Sequence, residues 1–223
     1  MKIAVIVYPG TNCDFDTQYA FEMLKQEVVF VWHKDEKLPK DTDLVVLPGG
    51  FSYGDALRSG SIARFSPIMK DVIQFANRGG KVLGICNGFQ ILLEADLLPG
   101  AMKHNQNMHF ISRHHNLEVK ETKNDFLKKL NVGDILNIPI AHGEGNYYID
   151  KDSLEALYSN DQVLLTYCDK NGEVSNPNGS VDAIAGICNL ERNVFGLMPH
   201  PERAMESLLG SDDGIKMLHG LIS

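Results

Sequence analysis

The chain has 223 residues, 43% of them hydrophobic, with 21 Lys and Arg against 29 Asp and Glu for a formal charge of −8. That length suits one well-buried domain over residues 1–223, the composition excludes fibrous and disordered classes, and the acidic balance argues against a nucleic-acid partner. No apolar run nears the ~20 residues that cross a bilayer, and the amino terminus lacks a signal-peptide pattern, so a cytoplasmic location is expected.

Residues 2–8 are a β-branched apolar run, which predicts a strand buried on both faces. Pro9-Gly10-Thr11-Asn12 predicts a turn. Asn12 or Asp14 then caps a helix over 15–27, with Tyr19, Met23 and Leu24 toward the core. Residues 28–32 and Leu44–Leu47 predict two further strands, the latter ending at Pro48-Gly49-Gly50. Apolar residues at 62, 65, 68, 69, 72, 73 and 76 form one stripe of a helix over 62–77, which Gly79-Gly80 terminates. Lys81–Ile85 is a fourth strand that runs directly into a helix starting at Asn87. Such alternation predicts an α/β fold with a parallel sheet covered on both sides. After Pro99 the pattern shifts to shorter strands at 117–119, 135–140, Val163–Cys168, Ile184–Cys188 and 194–198, with a closing helix over 214–222.

The segment that carries most chemistry is Gly84-x-Cys86-x-Gly88 between that fourth strand and its helix. It has the form of a nucleophile elbow with cysteine in place of serine. The glycines permit a sharp turn, the strand end places the thiol where open α/β sheets bind ligands, and the helix amino terminus favours negative charge on the sulfur. The Asn87 N–H is free to face a substrate carbonyl oxygen.

A thiol nucleophile needs a base, and the base needs orienting. Met198-Pro199-His200-Pro201-Glu202 supplies both. Pro201 favours an extended His200, and residues two apart on an extended chain point the same way, so Glu202 lies beside the imidazole. At the end of the third strand, the Gly50 N–H pairs with that of Asn87 as a two-donor oxyanion hole.

These motifs, in this order, resemble class I (triad-type) glutamine amidotransferases. Three stretches narrow the resemblance: Cys86-Asn87-Gly88-Phe89-Gln90, Gly49-Gly50-Phe51-Ser52-Tyr53-Gly54-Asp55 and Ala141-His142-Gly143-Glu144-Gly145. They look like the glutaminase subunits of phosphoribosylformylglycinamidine synthases. Pro9-Gly10-Thr11-Asn12-Cys13-Asp14 is similar to the amino-terminal loop of those subunits, and the similarity runs through essentially the whole chain. The resemblance implies a flavodoxin-like fold: an open, mostly parallel sheet with helices on both faces and additional C-terminal antiparallel strands. It implies the triad Cys86, His200 and Glu202, the oxyanion hole Gly50 and Asn87, and glutamine contacts from Phe51, Gln90 and Phe110. The stretch from Asn105 through Phe110 to Arg113 resembles a further glutamine-lining segment, with Asn107 where a serine is expected. L-glutamine is the implied substrate. The implied partners are an ATP- and magnesium-using synthetase subunit, which receives the ammonia, and a small assembly subunit. No cofactor or metal is implied on this chain.

Other readings of the same residues are a glutaminase serving another synthetase, a cysteine hydrolase or peptidase on a related scaffold, and a binding subunit with a decayed site. No Gly-x-x-x-x-Gly-Lys-[Ser/Thr] phosphate loop is present, which places ATP chemistry on another chain. His104, His109, His114 and His115 lack metal-site spacing, and no Cys-x-x-Cys pair signals zinc or a disulfide framework. Cys13 reads as packing near a helix start, and Cys168 and Cys188 read as core. Gly143 makes a turn of His142 and Glu144, near the pocket or a partner surface.

Overall fold

Lys2–Val7 forms β1, one strand in from an edge of the chain's larger sheet. The computed structural model describes residues 1–222. From β1 the chain passes through α1 (Asp14–Met23) to β2 (Glu27–Trp32), which pairs parallel to β1 at one sheet edge. It then returns past β1 to β3 (Leu44–Leu47) and continues through α2 (Pro67–Asn77), β4 (Lys81–Ile85) and α3 (Asn87–Glu94). The β1–β2 and β3–β4 crossovers run in opposite directions. Right-handed connections therefore put α1 and α2 on opposite faces. All four residues of β3 are buried, as two-sided cover requires.

The second half adds β5 (Ala101–Lys103), β6 (Ile111–Val119), β7 (Ile135–His142), β8 (Asn146–Tyr148), α4 (Lys151–Ser159), β9 (Val163–Cys168), β10 (Ile184–Cys188), β11 (Val194–Leu197) and α5 (Asp213–Leu221). The large sheet runs β2-β1-β3-β4-β11-β10-β9-β6-β7. Pairing is parallel from β2 to β11 and antiparallel from β11 to β7. This is the open α/β sheet with added antiparallel strands that the sequence predicts. Strands β5 and β8 form a separate two-stranded sheet. No helix among the described residues is long and apolar enough to cross a membrane.

Several expectations need correction. Helix α1 ends at Met23 because Lys25 takes φ 60° and Glu27 already pairs with Lys2 in the sheet. Its buried side chains are Thr17, Ala20 and Phe21, while Tyr19 and Met23 are exposed. Small residues let the helix lie close on the sheet, and Tyr19 instead donates its hydroxyl to Glu206. The helix expected over 62–77 is broken. Ser66 is extended because proline disfavours helical torsions in the residue before it, so α2 begins at Pro67. Ala63–Phe65 is a separate 3-10 turn with Phe65 exposed.

Candidate active site

The direction of the chain reverses between β1 and β3, and the loops after these strands meet there. Thr11 and Gly50 form an isolated bridge, flanked by the Phe51 N–H donating to the Gly10 carbonyl at 2.9 Å. Such a switch point is where open α/β sheets bind ligands. Strands β4 and β11 end beside it, bringing in Cys86 and His200.

Cys86 occupies φ 50°, ψ −105°, between β4 and α3. A residue with a side chain holds such torsions only where its surroundings impose them. Here the Cys86 N–H donates to the Leu197 carbonyl at 2.8 Å, and α3 starts at the next residue. The turn is tight enough that a Cβ on Gly88 would fall inside van der Waals contact of the Leu47 carbonyl. The thiol is 5% exposed and donates to the Ala141 carbonyl at 3.7 Å.

His200 and Glu202 are almost fully buried. The His200 Nδ1–H donates to Glu202 Oε1 at 2.7 Å. The expected extended geometry is not how they meet. His200 has φ −108°, ψ 81°, but Pro201–Arg203 forms a 3-10 turn, and this turn folds the carboxylate back onto the ring. The His200 N–H is anchored to the Pro139 carbonyl of β7 at 2.8 Å. Burial by itself lowers the pKa of the imidazole. The charge of Glu202 and then that of Cys86 outweigh it, with help from hydrogen bonding to Cys13 and Cys86, and hold the ring well above the usual histidine range. With Nδ1 committed to Glu202, Nε2 is the nitrogen left to face the Cys13 and Cys86 thiols for proton exchange.

Gly50 has φ 149°, and a Cβ there would meet Thr11 Cα and the Asn12 nitrogen at 2.8 Å, so only glycine fits. Asn87 is the first residue of α3, where an N–H has no intrahelical acceptor. Its side chain locks the two loops together, because Asn87 Oδ1 accepts from the Ser52 N–H at 3.1 Å. Both expected oxyanion donors thus lie on segments fastened to each other.

A cavity of ≈ 190 Å³ opens over this floor. Cys86, Gly50, Phe51, Gln90 and Phe110 all line it, as do Asp55, His142 and Glu144. Phe51 and Phe110 are exposed, with ring centroids 6.3 Å apart. Gln90 lines the wall with its amide already engaged. It accepts from Asn87 Nδ2 at 2.9 Å and donates to the Glu144 carbonyl at 2.6 Å. Asn105 is fully buried and clamps the β7–β8 turn. It donates to the carbonyls of His109 and His142 at 2.8 Å, and its Oδ1 accepts from the Gly145 N–H and from His142 Nδ1 at 3.0 Å. Arg113 is exposed on β6, and His115 is buried against the Ser175 carbonyl.

The residue that sequence reasoning under-weighted is Cys13. Its sulfur, a His200 ring nitrogen and a Glu202 oxygen lie within 4.8 Å of one another. Arg203 donates to that sulfur at 3.1 Å, and Cys13 donates to Asn12 Oδ1 at 3.2 Å. The three donors are spaced as a metal requires, but the Arg203 guanidinium opposes a cation there. Burial first, and the Glu202 charge among lesser causes, raise the Cys13 thiol above its ordinary pKa. The signal was the placement of Pro9-Gly10-Thr11-Asn12-Cys13 at the end of the first strand, the same edge as Cys86.

Residues 1–212 match the CobB/CobQ-like glutamine amidotransferase domain, and the chain belongs to that family. It is 64% identical over 222 residues to phosphoribosylformylglycinamidine synthase subunit PurQ of Sulfurimonas denitrificans, covering 100% of this chain and 99% of that protein. It is 62% identical to the subunit of the same name in Wolinella succinogenes, with 99% of each chain covered. Among solved structures it resembles a chain in the structure of PurLQS from Thermotoga maritima. There the TM-score is 0.90 at 42% identity, over 99% of this chain and 97% of the other.

Proposed function

We propose that this chain is the glutaminase subunit of phosphoribosylformylglycinamidine synthase. It hydrolyses glutamine and passes the ammonia to an ATP- and magnesium-dependent synthetase subunit in de novo purine biosynthesis. The observation that carries the reading is the strained Cys86 elbow on the wall of an amino-acid-sized cavity, coupled to a buried His200 that is itself paired with Glu202. Full-length identity to subunits of that name supports the choice of acceptor.

In this mechanism Cys86 Sγ attacks the side-chain amide carbon of glutamine, with its proton held by His200. The N–H groups of Gly50 and Asn87 receive the charge that builds on the carbonyl oxygen; losing one such donor costs about 10²–10³ in rate. His200 then gives its proton to the departing nitrogen, releasing ammonia and leaving a glutamyl thioester. Water, deprotonated by the same imidazole, cleaves the thioester to glutamate and restores the thiol. Glu202 holds the ring in one tautomer and offsets its positive charge throughout. Phe51 and Phe110 wall the mouth of the cavity. The chain itself uses no cofactor or metal. A small third subunit helps assemble the complex, which works in the cytoplasm.

The test is Cys86→Ala in the assembled complex. Glutamine-dependent product formation and glutamate release should fall at least ~10³-fold, while synthesis from free ammonium continues. Glutamate release at the wild-type rate would overturn the assignment.

A further inference from the structure

The cavity above Cys86 is lined by acceptors that are only partly satisfied. Asp55 and Glu144 both line it, and Asp55 Oδ1 is buried without a partner among the described residues. Glu144 is held by weak contacts, the Ser59 N–H at 3.4 Å and His104 Nδ1 at 3.5 Å. The nearby Arg58 is committed elsewhere, in a two-pronged pair with Glu94 at 2.6 and 2.7 Å. Burial, and after it the Glu144 charge, push the Asp55 carboxyl up to about 6 despite a hydrogen bond from Ser59. The pocket therefore holds two carboxylates that repel each other.

An independent observation comes from His142, which lines the same cavity and is 3% exposed. Asn105 settles its tautomer. The Asn105 amide nitrogen donates to two carbonyls, so its oxygen faces His142 Nδ1, which must carry the hydrogen. Burial, then the neighbouring His200 charge, lower the His142 pKa to about 4, so the ring is neutral and Nε2 is an acceptor. That Nε2 is also buried and unpartnered among the described residues. Two unsatisfied acceptors and a loosely held carboxylate in one small cavity call for a ligand rich in N–H donors and carrying positive charge.

We propose that Asp55 and Glu144 form the subsite for the α-ammonium group of the substrate amino acid. This deepens the glutaminase reading and rests on it. An ammonium group has three N–H donors, supplies charge-assisted hydrogen bonds to both carboxylates, and removes their mutual repulsion. The substrate's own carboxylate then lies away from the pair, toward the open mouth. The subsite makes the enzyme select an α-amino acid amide over a plain carboxylic acid amide of the same length.

The test uses the assembled complex and measures ammonia release from glutamine and from glutaramate, which is glutamine without its α-amino group. The wild type should prefer glutamine in kcat/KM. Asp55→Asn should lower kcat/KM for glutamine about 10- to 100-fold, mostly through KM, and leave glutaramate little changed. The preference should collapse. Glu144→Gln, which keeps the side-chain shape, should act in the same direction. Equal losses on both substrates, or an intact preference in both variants, would overturn the subsite while leaving the glutaminase reading standing. A wild-type complex that releases no ammonia from glutamine would overturn both.

Discussion

The two halves of the large sheet build the site by different means. In the parallel half, β1, β3, β4 and β11 deliver their groups at strand ends, each on a short loop a few residues from the last ladder bond. Cys86, His200 and Gly50 are placed this way, and each is fixed by backbone contacts before any substrate arrives. In the antiparallel half, β6 and β7 run past the site, and the turn leaving β7 bends over it as a wall. Its groups, His142 and Glu144, are held by the side chains of Asn105 and Gln90. In the proposed mechanism the rigid strand ends carry the bond-making groups, while a side-chain-clamped turn supplies part of the recognition wall opposite Phe51 and Asp55. Chemistry needs geometry fixed within tenths of an ångström, whereas recognition tolerates a wall that adjusts.

The contrast is sharpest at Glu202, whose carboxylate accepts from His200, the proposed base. Glu202→Gln keeps the shape and removes the charge that holds His200 well above its ordinary pKa. The rate of glutamate release should fall about 10²–10⁴-fold with KM little changed, and a large KM effect would break the division.

A smaller effect is due from His142, whose pKa is lowered to about 4 by burial and then by the His200 charge. Between pH 6.5 and 4 the unfolded chain takes up a proton that the folded ring refuses. Stability from this group is therefore complete above pH 6.5 and lost as pH falls toward 4. Relative to His142→Asn, the wild type should lose up to about 3 kcal/mol over that window, read from denaturant unfolding at several pH values. Asp55 has the opposite sign, but it is present in both proteins and cancels. Parallel stability curves for the two proteins would show that the wall does not bury a neutral imidazole.

The smallest of the three concerns the clamp. Asn105→Ala leaves the Gly145 N–H and His142 Nδ1 without their acceptor, which should cost about 1–3 kcal/mol in stability. It should raise KM for glutamine more than it lowers kcat. A pure kcat loss would mean that the wall takes part in the chemistry.

The same division explains what the sequence revealed. Strands buried on both faces are continuous apolar runs, so β3, β4, β9 and β10 were legible to the residue, and so was the cysteine elbow. The half-exposed strand β6 was legible only over its buried end, because Ser112, Arg113 and His114 are exposed and carry no alternation. Strands β5 and β8, three residues each, depend on tertiary pairing and leave no periodic signal. Helix α4 was readable in hindsight. Asp150 caps it by accepting from the Ser153 N–H, and Leu154 and Leu157 follow at helical spacing. The side-chain braces made by Asn105 and Gln90 were not legible, since each joins residues 37 to 54 positions apart.

One consequence follows from the crowding around His200. A Cβ on Gly49 would sit 2.7 Å from His200 Cε1 and 2.9 Å from the Cys13 sulfur, so backbone, thiol and ring already touch. The imidazole is closely confined on that side. An imidazole free to tip would have to find its position again between taking a proton from sulfur and handing one to nitrogen. In the proposed mechanism both transfers use one confined ring, so the protons move while the imidazole keeps its place.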